Sequence, residues 1–72
     1  MAEVRAELMG SVWRVQAAVG DAVEEDDVLI ILESMKMEIP VMAPSDGTVV
    51  QIAVAEGDAV EEDALLAVVE PA

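Results

Sequence analysis

The sequence contains no cysteine, histidine, tyrosine or phenylalanine, and Trp13 is its only aromatic residue. Without thiols or imidazoles there is no disulfide framework, no zinc site of the usual ligands, and no thiol or imidazole catalysis. Basic residues are scarce too. Arg5, Arg14 and Lys36 stand against 16 Asp and Glu, giving a formal charge of −13 at pH 7. Such a surface repels phosphate and anionic lipid, which argues against nucleic-acid binding and against attachment to a membrane surface. Long apolar runs are also missing: the longest, Ala64 to Val69, is far shorter than the roughly 18 residues of a membrane-crossing helix. Met1 to Arg5 have neither the basic start nor the apolar stretch of a secretory signal, so the cytoplasm is the expected compartment.

What is present is a short, aliphatic chain of 72 residues, 56% apolar, with 13 Val and 12 Ala. That composition is too apolar for a disordered acidic tail, so the chain should fold. The length fits one domain over residues 1–72, burying only about 60% of the surface its unfolded form exposes. An internal repeat organises it. Gly10 to Glu33 lies over Gly47 to Glu70 with 12 of 24 positions identical, including Gly20-Asp21-Ala22-Val23-Glu24-Glu25-Asp26 over Gly57-Asp58-Ala59-Val60-Glu61-Glu62-Asp63. Two such halves, each unable to bury an apolar face alone, predict a pseudo-twofold structure with its core between them.

Each half reads as β. Val and Ile dominate, apolar runs are short, and Gly-Asp or Pro interrupts them at close intervals. The pattern predicts strands over Val4 to Leu8, Ser11 to Ala18, Val28 to Glu33, Lys36 to Met42, Thr48 to Ala55 and Leu65 to Glu70, with short pairings at Ala22-Val23 and Ala59-Val60. The expected architecture is a compact sandwich or flattened β-barrel. Pro40, inside a strand, belongs at an edge or a bulge. The runs Val28 to Leu32 and Leu65 to Val69 do not alternate, and periodicity alone leaves open whether both of their faces are covered. The acidic blocks Glu24 to Asp27 and Glu61 to Asp63 read as solvated turns.

One segment has no copy. Glu33-Ser34-Met35-Lys36-Met37-Glu38 falls at the junction of the halves, and the repeat carries Lys36 beyond the last residue, Ala72. In a pseudo-twofold fold the junction and the chain ends then occupy opposite poles, with the only lysine at one tip. Two strand segments with almost no loop between them predict a tight hairpin presenting an amine to solvent. With no His or Cys nearby, that amine catalyses little by itself, but it can be acylated.

These residues resemble the attachment site of biotinyl carrier domains, in which the lysine of a Met-Lys-Met tripeptide carries biotin through an amide bond. The resemblance extends over Gly10, Val12, Gly20-Asp21, Val23 and Leu29 before the lysine, and Val41, Ala43-Pro44, Gly47-Thr48-Val49, Gly57-Asp58, Val60 and Leu65 after it. It covers both the short free-standing biotinylated proteins and the carrier domains of biotin-dependent carboxylases. It implies a barrel-sandwich hybrid of two four-stranded antiparallel sheets, with covalent biotin on Lys36. It further implies a biotin protein ligase that reads Glu33, Ser34, Met35, Met37 and Glu38 and transfers biotin from biotinyl-AMP. Biotin carboxylase and carboxyltransferase partners would follow, between which this non-catalytic chain shuttles carboxylate.

The sequence departs from the family at several positions. Ala6-Glu7-Leu8-Met9 contains no proline before Gly10, Ser34 stands where alanine is common, and Asp26 and Asp63 stand where glycine is usual. Asp tolerates the left-handed region better than most residues, so both aspartates are expected at positive φ. A two-residue hairpin likewise requires positive φ at Met35 or Lys36. Strict alternation would turn Trp13 inward with Val15 and Ala17, whereas the family pattern implies a bulge there and a partly exposed indole. Two other readings share this sequence: a lipoyl carrier, whose lysine is typically flanked by aspartate and alanine, and an unmodified β-sandwich adaptor.

Overall fold

A computed structural model describes all 72 residues, which form eight strands and no helix. In chain order these are β1 (Ala2–Arg5), β2 (Gly10–Val15), β3 (Ala22–Val23), β4 (Val28–Ser34), β5 (Met37–Met42), β6 (Gly47–Ile52), β7 (Ala59–Val60) and β8 (Leu65–Pro71). They pair into two antiparallel four-stranded sheets, β1-β8-β6-β3 and β5-β4-β2-β7. Advancing each strand by half the set turns the first order into the second, so the repeat in the sequence is a two-fold that exchanges the sheets. The sheets stay open at their edges, and the expected flattened barrel is a sandwich without closure.

Each sheet takes two strands from each half, and backbone hydrogen bonds cross between the halves. The Gly20 N–H donates to the carbonyl of Val49 and the Val49 N–H to that of Asp21; their repeat counterparts are Gly57 to Val12 and Val12 to Asp58. The aspartate after each glycine shapes its own turn, since Asp21 and Asp58 each accept an N–H three residues back, from Ala18 and Ala55, at 2.9 Å. Asp26 and Asp63 both adopt φ 72°, as expected of residues standing in for glycine. The acidic blocks are exposed turns.

Bulges interrupt both non-alternating runs, and Val68 is buried as well, between Ala67 and Val69. In β4, Leu29 is skipped between the pairs Val28 with Met42 and Ile30 with Val41; in β8, Leu66 is skipped between the pairs made by Leu65 and Ala67. A bulge lets successive residues face the same side, so Leu29 with Ile30, and Leu66 with Ala67, are fully buried. These four form the centre of a core with Val12, Leu32, Val49 and Val69. A second bulge pair lies at Trp13 in β2 and Val50 in β6. There the indole is turned partly outward, 43% exposed, with the Arg14 guanidinium 4.9 Å from its ring centre. Pro40 lies on the edge strand β5, where its missing N–H disturbs no inner ladder.

Three strands differ from expectation by more than one residue: β2 ends at Val15 rather than Ala18, β6 ends at Ile52 rather than Ala55, and the first strand is shifted. The first strand is Ala2–Arg5 rather than Val4 to Leu8. Ala6 ends it with an N–H bond to Ala64, and Leu8 and Met9 leave the sheet as an exposed loop leading into β2. The alternation continued across that loop only in composition.

Candidate functional site

β4 and β5 form the most extended pairing around the junction of the halves, running from Val28 opposite Met42 to Ser34 opposite Met37. Only Met35 and Lys36 connect them, at φ 52° and 64°. Two successive left-handed residues make a primed turn, whose twist matches that of the strands it joins. With ordinary side chains this costs about 1 kcal/mol or more per residue, and the hairpin's long ladder holds the turn in place. Met35 is 91% exposed and Met37 64%; Lys36 is exposed between them, and its amine has no hydrogen-bond or ion-pair partner. The single ion pair of the molecule, Arg5 with Glu3, lies within β1.

The register sorts the remaining residues of the segment. Leu32 points into the core, so Glu33 and its direct partner Glu38 project from the outer face. Ser34 and its partner Met37 return to the core side, beyond the end of the packed interior. All six residues from Glu33 to Glu38 therefore surround one tip, carboxylates on one face and the thioether and hydroxyl on the other. No cluster of His, Cys, Asp or Glu is arranged to hold a metal ion.

Two features of the tip were not read from the sequence. Gly10 lies against the hairpin so closely that a Cβ would come within 2.7 Å of the Glu33 carbonyl oxygen, so the absence of a side chain there seats β4. Leu8 and Met9, from the β1–β2 loop, border a groove that Met35 and Glu33 also line. The repeat held a signal for this, because Leu8-Met9 aligns with the polar pair Ser45-Asp46.

A duplicated sandwich of two four-stranded antiparallel sheets, with a two-residue hairpin turn at the junction of its halves, is the architecture of the biotinyl and lipoyl class. The family model described as "Biotin-requiring enzyme" matches residues 2–69, and the chain belongs to that biotin/lipoyl family. The chain is 54% identical over 41 residues to a Mycobacterium tuberculosis protein called biotinylated protein TB7.3, a match covering 57% of this chain and 58% of that one. The urea carboxylase structure from Kluyveromyces lactis superposes with a TM-score of 0.91 at 42% identity, over 96% of this chain and 6% of that protein. The lipoyl domain of the 2-oxoglutarate dehydrogenase complex of Azotobacter vinelandii superposes with a TM-score of 0.83 at 26% identity, covering all of both chains. Domains of this family are carriers rather than catalysts, and some of the relatives are segments of carboxylases.

Proposed function

We propose that this chain carries biotin covalently on Lys36 and moves carboxyl groups between a biotin carboxylase site and a carboxyltransferase site, with the cytoplasm as its expected setting. The observation that supports the reading most is the Lys36 amine itself, exposed and unpartnered at the apex of the Met35–Lys36 turn. Biotin fits this tip, because the attachment needs one reachable amine and the chain has one lysine. In its uncharged form the amine attacks the acyl carbon of biotinyl-AMP; the C–N bond forms, AMP leaves, and the amine's proton passes to solvent. The ligase would read Met35 and Lys36 at the apex, Glu33 and Glu38 on one face, and Ser34 and Met37 on the other. When attached, biotin supplies a ring nitrogen that accepts and releases carboxylate inside other proteins' active sites. The chain's own part is display: a two-residue turn presents the tether at the tip of the sandwich, and the tether raises the effective concentration of the ring at both sites.

A lipoyl carrier is the second reading, favoured by the superposition on a lipoyl domain. Met-Lys-Met stands against it, as it does against an adaptor with a bare lysine. The intact mass of the chain produced with a biotin protein ligase and a lipoate ligase separates the three. One biotinyl increment is expected; a lipoyl increment, or no increment, would overturn the proposal.

A further inference from the structure

The two poles of the sandwich should match under the two-fold, and at the loop before each long strand they do not. In the β5–β6 loop the Asp46 carboxylate accepts the Glu25 N–H at 2.8 Å, and the Asp46 carbonyl accepts the N–H of Ala72 at 3.0 Å. That pole is closed by polar bonds. At the Lys36 pole the corresponding β1–β2 loop has Leu8 and Met9, which lack an acceptor side chain, and the Glu62 N–H gains no equivalent bond. The result is an open groove of about 1020 Å³ lined by Leu8, Met9, Met35 and Val60 together with the acidic residues Glu33 and Glu61. Leu8 is 36% and Met9 69% exposed, a clustered apolar surface on an otherwise acidic molecule.

We propose that this groove is a seat for the ring of the biotinyl-lysine arm, an inference that rests on attachment at Lys36. The fused bicycle has an apolar thioether and alkylene side and a ureido edge with two N–H donors. The apolar side matches the exposed Leu8, Met9 and Met35, and the N–H donors match the acidic residues Glu33 and Glu61, which as carboxylates only accept. Continuity with the attachment point selects the arm over a separate protein or a second copy. Met35 lines the groove and immediately precedes Lys36. An arm rooted at the groove's rim has an effective concentration there on the order of millimolar, so a seat of low intrinsic affinity is still filled.

The test uses the whole chain with methyl-labelled Leu and Met, compared by NMR before and after biotinylation, with intact mass recorded on the same samples. The Leu8 δ and Met9 ε resonances are expected to shift on biotinylation and to show nuclear Overhauser contacts with ring protons, while those of Met1 and Met42 stay in place. A Leu8→Ser and Met9→Ser double variant, altered only in an exposed loop, should take up biotin equally and lose those ring contacts. A full mass increment with no shift beyond Met35 and Met37 would overturn the seat while leaving attachment intact. Shifts at Leu8 and Met9 that occur only when ligase is added would assign the groove to the ligase and likewise overturn it. A missing mass increment would overturn attachment, and the seat with it.

Discussion

Glu33 and Glu38 are direct partners across the β4–β5 hairpin, two carboxylates on one outward face a few residues from the only lysine. Like charges directly opposite in an antiparallel pair destabilise it. Replacing one, as in Glu38→Gln, should stabilise the protein by roughly 0.2–1 kcal/mol, visible as a higher urea midpoint at unchanged slope. The same variant should be biotinylated more slowly by the ligase. A raised midpoint with an unaltered biotinylation rate would remove Glu38 from the recognised surface.

Gly10 and Gly47 form a matched pair for separating stability from function. A Cβ at Gly10 meets the Glu33 carbonyl oxygen, and one at Gly47 collides with the Glu70 carbonyl oxygen. Alanine at either site forces a backbone shift and should cost about 1–3 kcal/mol in denaturation. Only Gly10→Ala moves the strand leading into Lys36, so only it should also slow biotinylation at temperatures where both variants remain folded. Equal slowing by both would show that modification follows general stability rather than the seating of the hairpin.

Asp26 and Asp63 share φ 72°, and each N–H is bonded across the interface of the halves, to Ala43 at 2.9 Å and to Ala6 at 2.8 Å. Glycine at either position removes the left-handed strain and should raise stability by up to about 1 kcal/mol. Valine, β-branched, should cost more than about 1 kcal/mol, and by similar amounts at the two sites. Thermal melting of the four single variants checks this. A stabilising valine at either site would show that the turn does not need its present backbone.

These sites differ in how plainly the sequence announced them. The repeat places Lys36 at an unduplicated junction, a two-residue hairpin requires positive φ at Met35 or Lys36, and the family resemblance, with aspartate where glycine is usual, implies it at Asp26 and Asp63; the structure has it at all four. Those are local constraints, carried by few residues. The strand β1 was misplaced because Leu8 and Met9 continue an apolar pattern after the sheet has ended at Arg5. The buried status of both Leu29 and Ile30 was undecidable because a bulge breaks the period of two, and bulges depend on the partner strand. The groove was illegible for a similar reason. Leu8, Met35 and Glu61 are far apart in the chain, and only the paired sheets bring them to one edge.

The most direct measurement compares wild-type and Lys36→Arg chains, each produced with a biotin protein ligase, by intact and peptide mass and by carboxyl transfer with carboxylase and transferase components. Arginine keeps the charge but is not acylated, and at an exposed turn it should shift stability by no more than about 0.5 kcal/mol. Attachment at Lys36 predicts one biotinyl group on the peptide containing Lys36 in the wild type, and a folded variant with neither biotin nor transfer. Biotin on the Lys36→Arg chain, or undiminished transfer by it, would contradict the assignment.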